Sequence, residues 1–230
     1  MTLLRHALIL LTACAAIGAL CSPDAEAGKS PLDAIKAAAP PCPEAAAHCY
    51  GLRIHVVVKN KQPVQSAAWI ASRLDDANKR FEGAGIGFEV VEVRALSPAL
   101  FKIRTRKDRD RLTLRRYKRG LIDVFIVGRL DNVDGPGEIN GVHWRSRINT
   151  NHQYVIMSRI AWDLVMGHEL GHFFGLPHSE HPDSIMNKSK DPDRPPVETW
   201  SFHPDELALI EDRRALFARR GVVAERRPAP

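Results

Sequence analysis

The stretch from His168 to His178 reads HELGHFFGLPH. His168 and His172 stand four residues apart, about 400° around a helix, so both rings leave the same face one turn apart. Glu169 lies too far round the helix to be a third ligand, yet it can reach a water held between the rings. A third imidazole, His178, comes within range only if the helix ends and the chain turns back. Gly175 lies three residues past His172 and can take the positive φ that such a reversal needs. The chain is therefore constrained to a helix that stops at a glycine, with the following loop folded back over its face. Neutral imidazoles beside a carboxylate suit Zn²⁺, which takes three protein ligands in catalytic sites and leaves a fourth position open. Five fixed positions, three of them the scarce His, arise by accident in a chain this long with a probability on the order of 10⁻⁵ from average residue usage.

Four histidines fall between His168 and His181. The spacing selects His168, His172 and His178 as metal ligands and Glu169 as the catalytic group. His181, in the loop after the third ligand, is read as a non-ligating surface or supporting residue. His143 and His152 read as strand-end or surface residues, and His203 as a cap for the last helix.

Around this segment the hydrophobic pattern alternates between strand and helix. Leu52 to Lys59 (LRIHVVVK) is β-branched and alternating, a strand. Residues 64–81 carry apolar side chains at helical spacing, and Gly83, Gly85 and Gly87 stop that helix. Phe88 to Leu96 reads as a second strand, Ile122 to Val127 as a buried one, Ile139 to Trp144 as an edge strand and Tyr154 to Ser158 as another. A helix is expected over 161–174 with Gly175 at its left-handed cap, and a last one over 204–219 with Pro204 at its first position and Asp205 and Glu206 in its first turn. The fold class is α/β (α+β): a mixed sheet with helices in one domain over 51–221. Residues 28–50 read as an Ala/Pro-rich linker or short pro-segment, and 222–230 as a disordered tail.

The first 27 residues carry an export pattern. Arg5 and His6 precede an uncharged apolar run from Ala7 to Leu20, and Ala25-Glu26-Ala27 is a small-x-small cleavage site. The run is shorter than the roughly 20 residues of a comfortable membrane span, so no transmembrane span is expected. Leu11-Thr12-Ala13-Cys14 offers the competing reading of a lipobox, with lipid anchoring at Cys14. The expected location is secreted, periplasmic or cell-envelope. Cleavage after Ala27 leaves Cys42 and Cys49, an even pair that suggests one disulfide in an exported chain.

The chain has 230 residues and a formal charge of +6, which favours anionic partners only weakly. Nine of its Lys/Arg fall in 104–119 (RTRKDRDRLTLRRYKR). Residues 106–119 read as a basic surface helix, and the whole stretch as a candidate contact for an anionic surface. No nucleic acid is expected for an exported protein.

HELGHFFGLPH resembles the zinc-binding consensus of the metzincin metalloendopeptidases. Ser184-Ile185-Met186 stands where that family's Met-turn, a methionine beneath the zinc ligands, should be. Ser179 after the third His, and the seven residues between that His and Met186, look like the matrixins. Asp134-Gly135-Pro136-Gly137 resembles their calcium loop, with Asp131 and Asp134 as candidate ligands. The layout of the first half is also similar to the pappalysin-like branch. The resemblance is specific over 167–186 and only topological elsewhere. It implies a zincin domain with a twisted sheet, active-site helix, Met-turn and C-terminal helix, one catalytic zinc and a candidate calcium. Departures limit it. Asn187-Lys188-Ser189 replaces the Pro-x-Tyr wall of the matrixin specificity pocket, so that pocket does not carry over, and no cysteine-switch motif is found. Matrixins also hold a structural zinc on a His-x-Asp motif; His143 could match one of its ligands, but no second zinc is expected.

The implied activity is an exported zinc endopeptidase. It would hydrolyse peptide bonds through a zinc-bound water, with Glu169 as general base and then general acid. The substrate would be an extended protein or peptide segment laid along an edge strand near Gly141 to Trp144. Two other classes compete: a non-proteolytic zinc-containing cell-surface binding protein, and an anion-binding module using the basic stretch. Glu169 argues against the first, since a scaffold needs only the histidines.

Overall fold

The computed structural model describes residues 30–149 and 152–226. The elements in chain order are helix α1 (Pro31–Ala38), strand β1 (His48–Lys59), β2 (Gln62–Pro63), α2 (Ala67–Phe81), β3 (Ile86–Leu96), β4 (Lys102–Ile103), α3 (Arg106–Arg111), β5 (Ile122–Val127), β6 (Arg129–Leu130), β7 (Gly141–Arg145), β8 (Gln153–Ser158), α4 (Val165–Phe173) and α5 (Pro204–Arg220). The main sheet is mixed. β1 pairs in parallel with β3 on one side and β5 on the other, and β8 runs parallel to β5. β7 closes the sheet as an antiparallel edge on β8, and β2 pairs with the end of β1. β4 and β6 form a separate two-stranded piece.

β5 is buried along its whole length, as expected of a strand covered on both faces. Its side chains alternate between two cores. Val124 and Ile126 join Ile54, Val56, Leu74, Phe81, Leu170 and Phe174 on the face covered by α2 and α4. Phe125 and Val127 join Leu112, Tyr154 and Ile156 on the other. That second face also holds a buried polar group. Arg53 and Asp123 are directly opposite in the β1/β5 register, and the guanidinium donates two hydrogen bonds to the carboxylate at 2.6 and 2.8 Å. His55 reaches the same carboxylate at 2.8 Å. A forked, two-bond pair is the geometry that can hold such charges away from water.

Three expectations give way to the structure. Part of the stretch 28–50, read as a linker or short pro-segment, is ordered: α1 occupies it, and β1 begins at His48 rather than near Leu52. Ser30 and Asp33 form a reciprocal capping box with Pro31 at the first position, and Ile35 is buried. That start signal was hidden by the Ala/Pro-rich composition. Second, the tail is fixed as far as residue 226. Val223 is buried and bridges Gly120, while Glu225 bridges Tyr50. Third, the basic stretch is not one surface helix over 106–119. α3 ends at Arg111, and Arg115 takes a positive φ of 60°. Arg109 is buried above the Trp144 ring and donates to the Asp131 carbonyl at 2.9 Å, and Asp110 accepts from the Trp144 indole at 2.9 Å. Charge density on its own hides that these two residues point inward.

The candidate export segment and Cys14 lie outside the described residues. No helix among the described residues is long and apolar enough to cross a membrane.

Candidate metal centre

α4 carries His168, Glu169 and His172, and it ends in a Schellman turn. The Leu176 N–H donates to the Gly171 carbonyl and the Gly175 N–H to the His172 carbonyl, both at 3.0 Å. Gly175 sits at φ 93°, the left-handed conformation this motif needs and that side chains with a Cβ resist. The reversal brings His178 back over the helix. The ring centroids stand 4.7 Å (His168–His172), 4.8 Å (His172–His178) and 5.7 Å (His168–His178) apart. One nitrogen from each ring lies within 4.8 Å of the others, close enough to hold one ion.

The ring tautomers suit that role. His168 Nδ1 faces the Ile185 carbonyl at 2.6 Å, and His172 Nδ1 faces the Leu176 carbonyl at 2.7 Å. A carbonyl can only accept, so both Nδ1 atoms carry the proton and Nε2 remains as the free lone pair on each ring. Burial pushes His168 down to about 4 and also lowers His172 and His178. The rings are therefore held neutral, the form that binds metal.

Glu169 is buried, and burial pushes its carboxyl up to about 8, against the lowering effects of the His143 N–H and the Arg109 charge. Its Oε2 accepts from the His143 N–H on β7 at 2.6 Å. Gly141, two residues earlier on the same strand, makes room for it: a Cβ there would come within 3.0 Å of Glu169 Cγ. Met186 is buried beneath the helix, where a Cβ on Gly171 would meet its sulfur at 2.6 Å. The Ile185 carbonyl that orients His168 belongs to the residue just before it.

The histidine triad, Glu169 and His143 line a cleft of about 740 Å³. Asn140, Gly141, Val142 and His143 form one wall; Asn187 to Lys190, Arg194 and Trp200 contribute to the rest. Arg194 fastens that opposite side. It donates to the carbonyls of Pro182, Ser184, Asn187 and Ser189, and stacks 3.4 Å over the Trp200 ring. The sequence reading missed Arg194, Trp200 and Trp162, because a clamp that gathers carbonyls from four separate residues has no local pattern.

Elsewhere, Cys42 and Cys49 are joined in a disulfide. Asp131 and Asp134 lie apart from this centre. Asp131 pairs with Arg129 at 2.5 Å and Asp134 pairs with Arg106.

Residues 108–211 match the family model described as Matrixin. The chain is a zinc metallopeptidase, similar to the matrixins over that span. The match spans α4, the histidine triad, the Met186 loop and the first half of α5. Among solved structures, the metallopeptidase is similar to archaemetzincin from Methanopyrus kandleri, at 16% identity and a TM-score of 0.49, covering 75% of this chain and 98% of that one. It is also similar to metalloproteinase-II from Bacteroides fragilis, at 11% identity and a TM-score of 0.49, covering 75% of this chain and 55% of that one. No curated protein matches it.

Proposed function

We propose that this metallopeptidase is an exported endopeptidase in which His168, His172 and His178 hold the catalytic zinc and Glu169 is the general base. The observation that carries this reading is the placement of Glu169. A scaffold that only held an ion would have no use for a buried carboxylate beside the triad, at the foot of a cleft open along an edge strand. Zinc, when bound through the Nε2 atoms, supplies Lewis acidity to the scissile carbonyl and to water. Glu169 then takes the proton from the attacking water and delivers it to the leaving amine. The main-chain hydrogen bond from His143 fixes the carboxylate for both transfers. The Ile185 carbonyl holds the His168 ring at its angle.

The substrate is an extended segment of protein or peptide, laid antiparallel to β7. A main-chain ladder of this kind reads backbone more than sequence. Export is supported by the pattern of residues 1–27 and by the Cys42–Cys49 disulfide, a bond that persists in oxidising compartments. Asp131 and Asp134 are each paired with an arginine, which competes with a calcium ion for the same carboxylates.

The test is cleavage of casein and of a quenched-peptide library by the purified protein. Activity is expected to disappear with a chelator and return with zinc. Zinc-loaded protein that cleaves neither substrate would favour the binding-protein reading.

A further inference from the structure

Outside the cleft, two more histidines and a carboxylate converge. His181, from the loop between His178 and Met186, stacks on His203 with ring centroids 3.6 Å apart and planes within 9°. Both rings turn a nitrogen toward Asp205. His203 Nδ1 lies 2.7 Å and His181 Nε2 3.4 Å from the same oxygen, Oδ1. One donor atom from each of the three lies within 4.8 Å of the others. We propose that His181, His203 and Asp205 form a second site for a divalent transition ion of the zinc type, distinct from the catalytic triad.

The donor set is the first argument. Two imidazoles and a carboxylate suit zinc, and all three are exposed enough to leave a fourth position to water. The spacing is the second. Ligands at about 2.0–2.1 Å from a tetrahedral zinc stand about 3.3 Å from one another. The two nitrogen–oxygen separations, 2.7 and 3.4 Å, lie on either side of that value, and admitting the ion requires the parallel imidazoles to turn out of their stack so that both lone pairs meet at one point.

The third argument is that both ligand-bearing segments are already fixed. The Ile185 N–H donates to the Ser201 carbonyl and the Ser201 N–H to the Asp183 carbonyl. Beneath them, the buried Glu206 carboxylate accepts from the Ser184 hydroxyl at 2.8 Å and from the His203 N–H at 2.8 Å. Binding therefore does not have to order a loop, the usual cost at a surface site.

The proposal departs from the expectation of a single zinc; His181-Pro182-Asp183 and His203-Pro204-Asp205 both have the His-x-Asp spacing. The site is not built on His143, which lines the cleft. An ion here clamps the segment carrying His178 and Met186 to the start of α5.

The test counts zinc bound to purified protein after dialysis, by atomic emission. Two equivalents are expected for the parent, one for H181A/H203A and one for H172A. The parent should melt higher with two equivalents than with one, and H181A/H203A should lose that second increment. A parent that takes up one equivalent, or an H181A/H203A protein that still takes up two, overturns the proposal. If H172A fails to fold, the parent and H181A/H203A comparison decides alone. Peptidase activity does not enter these readouts, so failure here is separate from failure of the endopeptidase reading.

Discussion

Glu169 accepts a 2.6 Å hydrogen bond from the main-chain N–H of His143, tying the active-site helix to the edge strand of the sheet. In the mechanism proposed above, the group that moves the proton is thereby held by the same strand that takes the substrate. Glu169→Gln keeps an acceptor for that N–H, whereas Glu169→Ala leaves the donor without its partner. The alanine variant is expected to be less stable than the glutamine variant by on the order of 1 kcal/mol. Urea denaturation of both, without metal, measures the difference.

Met186 fills the space under Gly171 and is fully buried. Met186→Ala opens a cavity in tightly packed surroundings and is expected to cost about 2–5 kcal/mol. Met186→Leu, close in volume, should cost less than about 1.5 kcal/mol. Chemical denaturation of the two variants checks the ordering, and equal losses would remove Met186 from this packing role.

Much of this centre was legible in the sequence, and the reason is local. His168, Glu169, His172 and Gly175 are related by helix geometry and one cap, so residue spacing alone fixes their relation. β5 and β8 were legible because burial on both faces makes each a continuous apolar run, and β1 and β3 because their β-branched residues alternate with polar ones. What stayed hidden depends on distant partners. Arg109 and Asp110 look like surface charge until Trp144 is placed beside them. Arg194 reads as loop until the carbonyls of Pro182, Ser184, Asn187 and Ser189 gather around it. His181 and His203 are 22 positions apart in the chain, and only the bridge between Ser184 and Ser201 brings them together.

Arg194 holds the far wall of the cleft through four carbonyls and the Trp200 ring. Arg194→Ala should loosen that wall while leaving Glu169 and the triad in place. KM is expected to rise by roughly tenfold, the equivalent of one or two lost hydrogen bonds, with a smaller change in kcat. Steady-state kinetics on a single cleaved peptide separate the two. A fall confined to kcat would contradict a wall role.

Burial pushes both His143 and His168 down to about 4, from an ordinary value near 6.5. Between those values the unfolded chain binds more protons than the folded one. The contribution to stability is therefore full above about 6.5 and is lost as pH falls toward 4. The metal-free protein should show a falling Tm across that window, and His143→Gln should flatten the fall. Thermal melts in chelator from pH 7.5 to 4 test this; a Tm that stays level through the window would contradict it.

The central claim is that Glu169 converts a zinc site into a hydrolase. The most direct measurement compares zinc-loaded parent and Glu169→Gln on one quenched peptide, with bound zinc counted in both. The account predicts equal zinc and a turnover lower by about 10²–10⁴ in the variant, the range for a positioned general acid–base group. A Glu169→Gln protein that holds its zinc and cleaves as fast as the parent would contradict it.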